Sequence, residues 1–312
     1  MGILKVMQER DKLIETYGLC PDGNPDPTQK LYVVLPNIMM AYIDNIRLRS
    51  LKYPEMVSLV SSAELNPESQ KFYGFGEEGM IRSKEKLHQQ AAEGMIDTCP
   101  LISYEEVNSR IEAMGPKSQQ GIEMYQMLSE VMGVKKICAI EVDHCTESYG
   151  CLIVSENERG VSDGFGRIFY SGDTNPCNNI LNYCQKVTLL IHEATFEDSL
   201  AQDAKWKKHT TIGQAIEVGR KCGVWRTVLT HFSPRYQKIA EISERNFETK
   251  TMVAFDHMRV KLSQFEWAYS MLDIYAKLFK NDEQEDKTSS GAQGGKKQQQ
   301  MGSGSKRQFK KE

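Results

Sequence analysis

Short apolar runs alternate with stretches of helical periodicity along this chain, and the alternation becomes regular from about residue 135 onward. Near the start, Ile3, Leu4, Met7, Leu13 and Ile14 fall close to helical spacing and predict a helix over 3–17. A Pro/Gly/Asp loop from Cys20 to Thr28 leads into an apolar strand over 31–35 that Pro36 stops. Residues 37–50 read as helical. The segment 51–134 is harder to parse, with glycines at 74, 76 and 79, a helix near 83–93 and another near 119–132. Strand-like runs then come at 136–142, 149–154, 167–170, 187–191, 225–229 and 252–255. A helix over 210–222, capped by Thr210 or Thr211 and stopped by Gly223, separates the fourth run from the fifth. Phe265, Tyr269, Leu272, Ile274, Tyr275 and Leu278 predict a last amphipathic helix over 263–280. Strands alternating with helices argue for a layered α/β fold.

Composition narrows the class. The 312 residues, 40% of them apolar, suffice for one large domain or two small ones. No apolar stretch approaches the roughly 20 residues that a membrane helix needs. The first residues meet Lys5 too early for a secretory signal, and Val6 stands where a myristoylation motif wants Ser or Thr. None of the eight cysteines forms a Cys-x-x-Cys pair, so they are expected to be free, mostly buried thiols of an intracellular protein.

Charge is divided unevenly. The net charge is −3, yet 287–312 carries seven Lys/Arg against one Glu, so this tail is +6 and the remainder −9. An acidic body does not bind nucleic acid by bulk charge, and any such contact has to be local. After Asn281 the composition collapses into Ser, Gly, Gln and Lys, which predicts a disordered basic tail over 281–312: a solvated tether, or an arm that touches phosphates.

The candidate chemistry lies at the ends of the strand-like runs. His144, Asp173 and His231 each follow such a run, far apart in sequence. Histidines and a carboxylate at strand ends are how a two-zinc hydrolase gathers its ligands. Taken singly, each also has an ordinary reading, as a polar residue at a strand end or the aspartate of a turn. Three ligands cannot hold two metals, and no His-x-His-x-Asp-His cluster supplies the rest.

Four segments, in this order, carry a resemblance. They are Asp143-His144-Cys145 with Tyr149-Gly150; Ser171-Gly172-Asp173-Thr174-Asn175-Pro176-Cys177; His192-Glu193-Ala194-Thr195-Phe196; and His209-Thr210-Thr211 with Thr230-His231-Phe232-Ser233-Pro234-Arg235-Tyr236. They resemble the C-terminal half of the long eukaryotic form of ribonuclease Z, the tRNA 3′-processing endonuclease family of the metallo-β-lactamase superfamily. The match is specific over most of 135–262, looser over 1–50 and faint over 51–134.

The resemblance implies a metallo-β-lactamase αββα sandwich over 1–280 and a zinc-dependent endoribonuclease acting on precursor tRNA, in the nucleus or the mitochondrion. It implies two zinc ions held by His144, His231 and a bridging Asp173, with His209 as general acid oriented by Glu193. Thr174, Asn175, Ser233 and Arg235 would touch the RNA. His192 would be buried behind the site, and His88 and His257 would be structural. In this family the His-x-His-x-Asp-His motif is followed at once by a Gly-containing polar helix, which Gly2 to Arg10 resembles. The expectation is therefore a chain that begins just after four of its metal ligands, with an incomplete sandwich and an incomplete site. Two alternatives stand beside it: a non-catalytic degenerate paralogue in RNA processing, and another phosphodiesterase of the same fold.

Overall fold

The computed structural model describes residues 2–18, 26–68, 101–156, 166–233 and 250–271. The expected helix near 83–93, His88, Arg235 and the tail over 281–312 lie outside these residues. The chain divides into two units, Met1–Tyr269 and Ser270–Glu312, and the first holds both sheets.

The N-terminal region begins with helix α1 (Gly2–Tyr17), which buries Met7 and Ile14. Strand β1 (Leu31–Leu35) runs into α2 (Asn37–Ser50), and β2 (Val57–Ser61) returns to pair with β1 in parallel. Met7, Leu35, Ile43, Leu51 and Val57 form the local core. Strand β2 is a short apolar run without clean alternation, so the sequence pattern does not mark it.

Helices α3 (Tyr104–Ala113) and α4 (Gln119–Met132) lead into the main sheet. Ser103 and Ser118 cap them, each accepting a backbone N–H three residues on. The main sheet has six strands in sequential order: β3 (Val134–Glu141), β4 (Tyr149–Ser155), β5 (Arg167–Tyr170), β6 (Leu189–Glu193), β7 (Arg226–Thr230) and β8 (Thr251–Val253). Pairing is antiparallel from β3 to β5 and parallel from β5 to β8. This is a mixed α/β architecture, as the strand–helix alternation predicts.

The parallel strands are mostly buried, polar residues included, because both faces are covered. On one face Leu190 packs with Leu152, Phe169, Ile180, Leu181, Val218 and Cys222, drawn partly from α5 (Asn178–Tyr183) and α7 (Ile212–Lys221). On the other, Leu189 and Val228 meet Met252, Phe265 and Ala268. Between β6 and α7 lies the short helix α6 (Ala201–Lys207).

Of the helix expected over 263–280, residues 272–280 lie outside the described residues, and the part up to 271 is not an α-helix. Residues Leu262–Glu266 and Ala268–Met271 form two short 3-10 turns. Phe265 and Ala268 are buried as the apolar pattern requires, but the Arg226 guanidinium (Nε) donates to the Phe265 carbonyl at 2.7 Å. That carbonyl is one an α-helix would have used for its own ladder.

The pairing directions put the C-terminal ends of β3, β5, β6 and β7 and the start of β4 at one end of the sheet. In open sheets with parallel strands this is the end where ligands bind.

Candidate metal centre

Every candidate residue within the described part sits at that end. His144 follows β3, Asp173 follows β5, Glu193 closes β6, His231 follows β7, and His209 lies between α6 and α7. The loops are tied together in pairs. An isolated bridge joins Asp143 to Asn175, and another joins Phe196 to Thr211. Two glycines permit the approach of β4 to the Asp173 loop. A Cβ on Gly150 would lie 2.8 Å from the Tyr170 carbonyl oxygen. Gly172 has φ +63°, and a Cβ there would lie 3.0 Å from the Tyr149 oxygen.

The side chains converge. The rings of His144 and His209 have centroids 4.9 Å apart, and those of His209 and His231 are stacked at 5.6 Å. His231 Nε2 lies 3.7 Å from Asp173 Oδ1. Donor atoms of His144, Asp173 and His209 lie within 4.8 Å of one another, as do those of Glu193, His209 and His231. His231 adopts φ 62°, a left-handed conformation uncommon outside glycine.

Each imidazole is held at one nitrogen. His144 Nδ1 donates to the Lys208 carbonyl at 2.8 Å. His209 Nδ1 lies 2.8 Å from Glu193 Oε1. His231 Nδ1 lies 2.7 Å from the Thr195 hydroxyl, which itself donates to Glu193 Oε2 at 2.6 Å. A hydroxyl has one hydrogen. With that hydrogen on Glu193, Thr195 Oγ1 accepts from His231 Nδ1–H. All three rings are then anchored through Nδ1, which leaves Nε2 of each for a metal or a substrate.

Glu193 organises this arrangement from within the protein, at 1% exposure. Besides His209 and the Thr195 hydroxyl it accepts backbone N–H groups from Thr174 at 2.6 Å, Thr210 at 3.1 Å and Thr195 at 3.3 Å. Such a set of donors suits an ionised carboxylate. Asp143 is likewise buried, with Asn175 Nδ2 donating to its Oδ2 at 3.1 Å and Lys208 Nζ forming an ion pair with its Oδ1 at 3.2 Å. Lys208 thus pairs with Asp143 while its carbonyl holds His144. Tyr170, beside the cluster, has its phenol pKa raised by burial first and then by Asp173 and Glu193.

The remaining expectations divide. Thr174 and Asn175 are buried. Thr174 Oγ1 donates to the Asn175 carbonyl at 2.6 Å, and Asn175 holds Asp143, so both brace the Asp173 loop. The Ser233 N–H donates to the Thr195 carbonyl at 3.3 Å. His192 is buried, as expected, with Nδ1 donating to the Glu193 carbonyl at 2.7 Å and its pKa lowered by that burial. His257 is exposed in a turn at φ 61°. The sequence pattern does not single out Thr195, Asp143 and Lys208 as site residues. Thr195 carries a signal, standing two residues beyond a glutamate at a strand end; Lys208 acts through its carbonyl, which no side-chain pattern reveals.

The donor types, imidazole nitrogens and a half-exposed carboxylate, fit zinc, and Glu193 locks the rings of His209 and His231 from behind.

Comparison with known proteins accords with this chemistry. No protein-family model matches the chain. It is 38% identical over 154 residues to the tRNAse Z TRZ4, mitochondrial, of Arabidopsis thaliana, covering 48% of this chain and 16% of that protein. It is 36% identical over 153 residues to the Ribonuclease Z, mitochondrial, of Drosophila melanogaster, covering 48% and 19%. To the human Zinc phosphodiesterase ELAC protein 2 it is 36% identical over 175 residues, covering 54% and 20%. The matches thus span about half of this chain and no more than a fifth of these relatives. The crystal structure of a long form RNase Z from yeast shares the fold, with a TM-score of 0.54 and 21% identity over 80% of this chain and 30% of that one.

Proposed function

We propose, for a chain whose matched half belongs with the ribonuclease Z proteins, that the cluster at the end of the main sheet is a zinc phosphodiesterase centre that removes the 3′ trailer of precursor tRNA. The observation that carries this reading is the shared anchoring of the three imidazoles. Glu193 holds His209 directly and His231 through Thr195, and the Lys208 carbonyl holds His144.

In this reading His144, Asp173 and His231 hold the metal. Asp173 lies near His144, His209 and His231, so its carboxylate would be available as a metal ligand alongside His144 and His231. Zinc, when bound, supplies Lewis-acid charge that acidifies a water and offsets the charge on the phosphate oxygens. His209 supplies the proton. As an imidazolium with Nδ1–H on Glu193, it would give its Nε2 proton to the departing 3′-oxygen as the P–O3′ bond breaks, while the attacking water loses one proton to solvent and adds to phosphorus as hydroxide. Thr174 and Asn175 position the loop. Two of the relatives carry "mitochondrial" in their names, and we place the activity in the same compartment.

The test combines zinc content of the purified chain with cleavage of a 3′-extended precursor tRNA. With only part of a two-zinc ligand set, the chain is expected to bind fewer than two zinc ions, and any cleavage it performs should be abolished by chelation and lost in His231→Ala and Asp173→Ala. A chain that binds no zinc but still binds the RNA would instead support the non-catalytic reading. Cleavage that survives chelation and His231→Ala would sink the assignment.

A further inference from the structure

Trp206 is the most exposed large hydrophobic side chain among the described residues, at 82%. It stands on α6, three residues before His209. Three residues of chain span at most about 11 Å, so its Cα lies within that distance of the proposed proton donor. The element carrying it is fixed to the site. The His209 N–H donates to the Ala204 carbonyl at 2.9 Å, and Lys208, in the left-handed conformation that ends α6, binds both Asp143 and His144. Lys205 and Lys207, exposed on either side of Trp206, add positive charge, and Lys207 Nζ sits 5.4 Å from the ring centroid of Phe196. Phe196 in turn packs beside His209, with centroids 6.0 Å apart.

An indole left in water beside a site asks for an occupant. A protein partner would want a contiguous apolar patch, and lysines are depleted from the cores of such interfaces. Trp206 instead has a lysine on each side in sequence, with Asp203 one turn earlier on the helix. A nucleobase needs only one aromatic face, with cations near the phosphates on either side. A single platform of this kind is also the local contact that an otherwise acidic body can offer to RNA.

We propose that Trp206, flanked by Lys205 and Lys207, is a stacking platform for an unpaired nucleobase of the RNA strand entering the centre. The identity of the strand rests on the nuclease reading above; the stacking itself is tested separately. The measurement is fluorescence anisotropy of a labelled single-stranded oligoadenylate, and of a blunt RNA duplex, titrated with the full chain and its variants. Trp206→Ala is expected to weaken single-strand binding about 5- to 150-fold, the range for one base–aromatic stack. Trp206→Phe should keep most of the affinity, and duplex binding should change little. Lys205→Ala with Lys207→Ala should reduce the salt dependence of binding. Unchanged single-strand binding in Trp206→Ala would overturn the proposal. So would an equal loss for duplex, or a change in oligomeric state as the variant's sole effect, which would mark a protein-docking residue. Because Trp206 is so exposed, the substitution leaves the fold intact. Hydrolysis of bis(p-nitrophenyl) phosphate by the unaltered chain with zinc reports on the metal centre alone. A chain without that hydrolysis, whose RNA binding still depends on Trp206, would lose the nuclease reading and keep the platform.

Discussion

At the scale of single residues, Thr195 joins the two halves of the cluster. Its hydroxyl links a buried carboxylate to the imidazole of His231, and nothing else among the described residues holds His231 Nδ1. Thr195→Val keeps the shape and removes the link. Zinc affinity is expected to fall about 10- to 100-fold, the usual cost of losing a partner behind a metal ligand. Thr195→Ser should restore it. Isothermal titration with zinc, together with the 15N shifts of the His231 ring in metal-free protein, would show both changes; equal affinity in valine variant and parent refutes the role. The sequence could mark His144, Asp173, Glu193, His209 and His231 because a motif is a statement about residue types in order. It could not show that Thr174 and Asn175 turn inward, since that depends on the buried Glu193 and Asp143 drawing their polar groups. The thiols make a second case. Cys138, Cys177, Cys184 and Cys222 are buried and Cys145 is exposed. Burial pushes Cys138 up to about 12 and raises Cys184 well above the ordinary thiol value. Maleimide labelling of native protein near pH 7.5, read by peptide mass spectrometry, should therefore modify Cys145 and spare these four until the chain is unfolded.

At the scale of elements, strands β3 to β7 were legible to within two or three residues because their apolar runs are bounded by polar turns and stacked in chain order. Helix α6 escaped because Ala204 is its one buried side chain, leaving no apolar stripe to detect. The helix expected over 263–280 failed within its described part for the opposite reason: the stripe was present, but Arg226 claimed a backbone carbonyl. Helix α7 shows an element whose ends were readable from local chemistry. Thr211 accepts the Gln214 N–H at 3.3 Å, and the Gln214 side chain accepts the Thr211 N–H at 3.0 Å. This reciprocal cap also fixes the chain just after His209. Thr211→Ala should cost about 1 kcal/mol, a fall in Tm of about 2–4 °C for a unit of this size. Thr211→Ser should recover most of it. Thermal unfolding followed by circular dichroism measures both, and an unchanged Tm in the alanine variant would show that the cap contributes nothing.

At the scale of the molecule, the N-terminal region carries more apolar surface than its own core uses. Helix α1 buries Met7 and Ile14 but leaves Val6, Leu13 and Tyr17 exposed along an adjoining stripe, so the helix is apolar on two sides. Helix α2 exposes Ile38 and Tyr42 one turn apart, and Val34 of β1 is exposed as well. Strands β1 and β2 form a parallel pair, an arrangement that proteins ordinarily keep covered on both faces. Apolar surface of this extent drives association in water unless something covers it. The chain is therefore expected to enhance the fluorescence of a hydrophobic dye while folded and to self-associate as its concentration rises. Val6→Glu combined with Tyr17→Glu should lower both effects without altering the far-ultraviolet circular dichroism, because both side chains already point to solvent and α1 keeps Met7 and Ile14 for its packing. Sedimentation velocity across a concentration series decides the matter. A parent chain that stays monomeric and silent to the dye would mean that this surface is satisfied by the chain itself, and the variant would then have nothing to improve.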